Sequence, residues 1–188
     1  MTTPIYECLI NKKTSTKPIW FMRQAGRYLP EFKKIRKLNP DFIKLCLDTN
    51  LSSEITLQPL KRFDLSAAII FSDILMVPYG LKQQVNFKKD FGPLLGEINL
   101  EEISEAEFIK KLKPIYNCIN KVKSNYLIKN KNLIGFIGAP WTLLVYMINK
   151  KSPKKNIDSS FFNNKKLIDK ILKKLEKFLI IHIENQID

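Results

Sequence analysis

A chain of 188 residues, 45% hydrophobic and 27% charged, has the balance of a globular protein and the length for one sizeable core. Its formal net charge of +14 favours acidic small molecules, while the dispersed lysines come with no zinc-finger or RNP-type aromatic motif, which counts against nucleic acid as a partner. Cys8, Cys46 and Cys118 form no C-x-x-C pair and no apolar stretch reaches the ~18 residues of a membrane span, so neither a disulfide framework, a cysteine zinc site nor membrane insertion is suggested, and a cytoplasmic location is expected.

Pro4–Asn11 has the pattern of a short helix, followed by a polar connector over 12–17. Ile19, Trp20, Phe21 and Met22 are too few for a helix and too apolar for a loop, which predicts a buried strand ending at Arg23. Arg23 and Arg27 flank Gln24, Ala25 and Gly26, and the glycine lets the backbone turn or approach a ligand closely. Each guanidinium is a fixed fork of donors matched to carboxylate or phosphate, so the pair suits either one anionic ligand or ordinary surface ion pairs. From Pro30, Phe32, Ile35 and Leu38 recur at helical spacing, and Arg36 among Lys33, Lys34 and Lys37 has the setting of a solvated face. Asp41 can cap a short helix to Leu47, and Ser52 or Ser53 opens the next, which Pro59 ends or kinks.

Leu65 to Phe71, LSAAIIF, predicts a second buried strand, and Asp73 follows it closely. Residues 83–92 predict an excursion or hairpin outside the main sheet. Helices are expected over 104–112 and 114–128, a third strand over 132–138, a helix from Pro140 that carries Tyr146, and a long amphipathic helix from about Phe161 onward. In that last helix Ile168, Ile171, Leu172, Leu175 and Phe178 share one face. The alternation predicts an α/β fold with parallel strands and right-handed crossovers. Three strands fall short of a closed eight-stranded barrel, and ENQID stops inside a helical pattern. Residues 1–188 are therefore expected to be a truncated chain rather than a complete domain.

Four words, MRQAGRYLPEF from Met22, LQPLKRF from Leu57, FSDILMVPYGL from Phe71 and LIGFIGAPWTLLVYMI from Leu133, resemble the uroporphyrinogen decarboxylase family. The resemblance implies a (β/α)8 TIM barrel, of which this chain is the N-terminal portion, with its cleft at the C-terminal strand ends. It implies a carboxy-lyase of haem and tetrapyrrole biosynthesis, which converts uroporphyrinogen III to coproporphyrinogen III by decarboxylating four acetate side chains. It also implies a homodimer that works without cofactor or metal. By the same resemblance Asp73 accepts hydrogen bonds from the pyrrole N–H groups, and Arg23 and Arg27 hold substrate carboxylates. Arg23 is also a candidate for proton delivery, Gln24, Ala25 and Gly26 for backbone or amide contacts, Arg36 for a further carboxylate, and the Tyr146 hydroxyl for a place beside the aspartate and substrate. The family's serine and histidine motifs have no counterpart in this chain, and His182 fits a structural or surface role. A zinc-dependent corrinoid or thiol methyltransferase of the same superfamily is the alternative enzyme, and a basic RNA-binding or interaction module the non-enzymatic one. The fragment alone is expected to have little activity, because an open partial barrel exposes strand edges.

Overall fold

The computed structural model describes residues 3–12, 16–26, 28–88, 90–153, 160 and 163–187. In chain order these residues form α1 (Pro4–Asn11), α2 (Pro30–Leu38), α3 (Phe42–Leu47), α4 (Thr49–Arg62), β1 (Ala67–Ile69) and α5 (Met76–Gly80). They continue through β2 (Val85–Lys88), β3 (Gly92–Leu95), α6 (Glu105–Lys123), β4 (Asn132–Ile134), α7 (Pro140–Asn149) and α8 (Lys165–Ile187). The chain divides into two units, one of residues 1–40, 44–72 and 114–135, the other of 41–43, 73–113 and 136–188.

In the first unit, β1 and β4 pair in parallel, with Ala67 opposite Asn132 and Ile69 opposite Ile134. Parallel neighbours so far apart in sequence require a long crossover, which is the connection expected of an α/β chain. Leu57 and Leu60 of α4, Ala68 and Ile70 around β1, and Cys118, Ile119 and Val122 of α6 form one buried cluster. Small and branched residues in LSAAIIF thus do what a strand buried on both faces requires. Helix α4 starts earlier than the predicted Ser52 or Ser53. The Asp48 carboxylate accepts from the N–H groups of Asn50 and Leu51, both at 2.9 Å, and satisfies two donors left open in the first turn. Pro59 lies inside α4 rather than ending it, because Ile55, Leu57 and Leu60 on either side of it are buried and outweigh one missing helical bond.

Ile19 to Met22 do not form the predicted buried strand. Ile19 brackets Ser66, donating to its Oγ at 3.0 Å and accepting from its N–H at 2.8 Å, but the ladder goes no further. The four side chains are 43–73% exposed. A run of this composition is built to be covered, and among the described residues no layer covers it.

In the second unit β2 and β3 form the expected antiparallel hairpin, with Val85 opposite Leu95 and Lys88 opposite Gly92. Gly92, at φ 84, supplies the left-handed backbone of its turn. The two helices predicted over 104–112 and 114–128 are instead one helix, α6, followed by a 3₁₀ turn at Tyr126–Ile128. Phe108, Leu112, Ile115, Ile119 and Val122 make one buried stripe through it, so Pro114 interrupts neither the face nor the helix. Ile171, Leu175 and Phe178 are buried along α8, Ile168 and Leu172 half-buried. The expected start of that helix at Phe161, and part of the 12–17 connector, lie outside the described residues. Among the described residues no helix is long and apolar enough to cross a membrane.

Candidate active site

The arginine loop is fixed by its uncharged residues. Gln24 is 4% exposed: its Nε2 donates to the Ala67 carbonyl at 2.6 Å, and its Oε1 accepts from the Phe21 N–H at 3.1 Å. The Gln24 N–H donates to the Phe21 carbonyl and the Leu29 N–H to the Gly26 carbonyl, which turns the backbone twice within nine residues. Gly26 is buried, and a Cβ placed there would run into the Tyr28 ring, so contact with that ring selects glycine. Arg23 stands exposed between these fixed points. Arg27 lies outside the described residues.

Arg36 is half-buried near the end of α2 and donates from Nη1 to the Asn39 carbonyl at 2.5 Å. A cation near a helix C-terminus is favourable for its own helix. Asp73, in the second unit, is half-buried, and its Oδ1 accepts from the Leu75 N–H at 2.9 Å while its carbonyl accepts from the Met76 N–H at 3.1 Å. This turn starts α5, a helix the sequence pattern did not predict because five residues are too short to show a period. A carboxylate offers several acceptor positions in all. Tyr146 on α7 is half-buried with its hydroxyl 3.5 Å from Ser152 Oγ.

The site residues therefore divide. Arg23, Gln24, Ala25, Gly26 and Arg36 belong to the first unit, and Asp73 and Tyr146 to the second. A cavity of about 350 Å³ in the second unit, lined by Ile98, Leu100, Met147, Ile148 and Ile171 among others, includes neither Asp73 nor Tyr146. His182 is structural: it is 4% exposed, set edge-on to the Phe108 ring, and burial pushes its imidazole down to about 4. Gln83 was not singled out from sequence. It is buried, and its Nε2 donates to the carbonyls of Gly96 and Met147, tying the hairpin to α7.

Charge divides as unevenly as the site does. The first unit's segments contain 16 Lys and Arg against 5 Asp and Glu, the second unit's 16 against 13, so +11 and +3 make up the chain's +14. The lysines are dispersed along the sequence, but their counterions are not. The positive field belongs to the unit that carries the arginine loop, where it raises the local concentration of anions.

The uroporphyrinogen decarboxylase (URO-D) family model matches residues 2–188. The chain is 42% identical over 181 residues to a uroporphyrinogen decarboxylase of Rickettsia felis, an alignment covering 93% of this chain and 52% of the relative. Against those of Rickettsia canadensis and Campylobacter jejuni the identities are 42% over 176 residues and 41% over 188, covering 52% and 55% of the relatives. The chain spans about half the length of the curated relatives it matches. A match that runs from residue 2 to residue 188, through the arginine loop, the Asp73 turn and the helix of Tyr146, makes this chain a member of the uroporphyrinogen decarboxylase family.

Proposed function

We propose that this chain is the arginine-loop portion of a uroporphyrinogen decarboxylase, a (β/α)8 barrel that removes four acetate carboxyls from uroporphyrinogen III. The observation that carries the proposal is the end-to-end family match, which includes the words around Arg23, Asp73 and Tyr146. Arg23 and Arg27 bind substrate carboxylates, with Arg36 as a further anchor. An octacarboxylate is the kind of ligand that a unit of +11 attracts. Ala25 and Gly26 offer backbone contacts to it.

Loss of carbon dioxide from a pyrrole acetate needs an electron sink. Protonation of the ring carbon makes the ring cationic, the electrons of the breaking carbon–carbon bond flow into it as carbon dioxide leaves, and a second proton added to the exocyclic carbon makes the methyl group as the first is lost from the ring carbon, restoring the pyrrole. Asp73, accepting from the pyrrole N–H groups, stabilises the cationic ring, an electrostatic contribution that grows as water is excluded. Tyr146 places a hydroxyl beside that carboxylate. Arg23 is a carboxylate anchor first, since a guanidinium that stays protonated is a poor proton donor. The proposal includes a cytoplasmic enzyme, homodimeric when its barrel is complete, that needs neither metal nor cofactor.

The test is to give the 188-residue chain uroporphyrinogen III and measure both binding and coproporphyrinogen formation. Binding with little turnover is expected. Robust turnover would overturn the partial-barrel reading, and absence of binding would remove the tetrapyrrole site from this half.

A further inference from the structure

We infer that Gln24 is the positioning residue of the arginine loop: its side-chain amide locks the loop onto the start of β1, and thereby sets where Arg23 stands. The inference rests on the proposed function only for what Arg23 binds. The lock itself is a matter of geometry. One amide donates to Ala67 at 2.6 Å and accepts from Phe21 at 3.1 Å, joining segments 43 residues apart while 4% exposed. Donor and acceptor on one planar group, at that reach, are properties of glutamine and of neutral glutamic acid alone. Arg23 itself is exposed and has no ion pair among the described residues, so nothing of its own fixes the backbone on either side of it. Besides Gln24, the segment is tied to the strand side by the Ile19–Ser66 pair. A buried amide deprived of both partners is expensive, so the loop has one low-energy arrangement.

The experiment uses the 188-residue chain with Gln24→Met and Gln24→Glu. It reads amide exchange at Phe21, with Ile70, bonded to Ile134, as the control for the fold. Binding of uroporphyrin, the oxidised octacarboxylate, is followed by its fluorescence. Gln24→Met should lower protection at Phe21 roughly tenfold and weaken uroporphyrin binding by about the same factor, with Ile70 protection unchanged. Gln24→Glu should match it at pH 7.5, where a carboxylate faces the Ala67 carbonyl. Toward pH 5 it should recover Phe21 protection, because a buried carboxyl without a donor is raised above its usual range and, once neutral, donates as the amide did. Unchanged protection in Gln24→Met, or a Gln24→Glu variant indifferent to pH, would overturn the lock. So would wild-type uroporphyrin binding that Gln24→Met leaves within twofold. If the wild-type chain binds no uroporphyrin while the exchange results hold, the lock stands and the tetrapyrrole reading is what fails.

Discussion

At His182 burial and ionisation are in direct conflict. The imidazole is held near pH 4 in the folded chain by loss of water, while an unfolded histidine titrates near 6.5. The unfolded chain therefore binds the extra proton first, and stability falls as pH drops through the window from about 6.5 to about 4. Between pH 7 and pH 5 the wild-type chain should lose about 2 kcal/mol that a His182→Leu variant does not. Urea unfolding of both proteins across that range gives the difference directly, and parallel curves would refute it. Gly26 makes a different prediction. Gly26→Ala pushes a methyl into the Tyr28 ring, which is 60% exposed and has to swing aside to admit it. Gly26→Ala should destabilise by about 1 kcal/mol, and a second change, Tyr28→Ala, should relieve most of that. Chemical denaturation of the two single variants and the double variant closes the cycle; additive losses would mean the ring is not the obstacle.

At the scale of elements, the exit from β1 depends on α4. Thr56 donates to the Ser52 carbonyl at 2.7 Å and accepts from the Phe71 N–H at 2.9 Å, both buried. Thr56→Val keeps the shape and orphans the Phe71 amide, so the expected cost is about 1–3 kcal/mol. A thermal midpoint unchanged from wild type would show that water replaces the hydroxyl. None of this was visible in the sequence, where Thr56 is one of several small polar residues in its helix, with Thr49, Ser52 and Ser53. What was visible had local causes: Pro4, Pro30 and Pro140 each mark a helix start, and LSAAIIF declared a strand buried on both sides. The failures had non-local causes. Ile19 to Met22 carry the composition of a buried strand, but composition states only that a surface is needed, not which part of a protein provides it. Pro114 looked like a boundary because its effect on one hydrogen bond is local, whereas the apolar stripe that overrides it, from Phe108 to Val122, extends over about four turns of helix. The arginines and Asp73 were legible as words, and the glutamine between the arginines showed its buried role only when Ala67, 43 residues on, was found beside it.

For the whole molecule, charge is the property that the fold redistributes. Lysines and arginines are equal in number on the two units, and the asymmetry comes entirely from where the acids lie. Exposed pairs such as Lys177 with Glu105 and Lys173 with Asp169 neutralise much of the second unit, each contributing little stability but cancelling field. The first unit has Arg62 with Glu31 and Lys131 with Asp64, against a far larger excess of cations. On the proposed function, an octacarboxylate approaching the chain is drawn mainly by long-range attraction to one unit before any guanidinium makes a bond. Long-range attraction of this kind is screened over about 10 Å at 0.1 M salt and about 3 Å at 1 M, whereas a formed bidentate contact is much less affected. Uroporphyrin affinity should then fall by roughly tenfold or more between about 0.05 and 0.5 M salt. Replacing Lys33, Lys34 and Lys37 together by glutamine should flatten that dependence while Arg23 remains. Fluorescence titrations of both proteins over the salt series decide the matter. An affinity indifferent to salt would mean that the ligand is held by contacts alone, and that the +11 has no part in its capture.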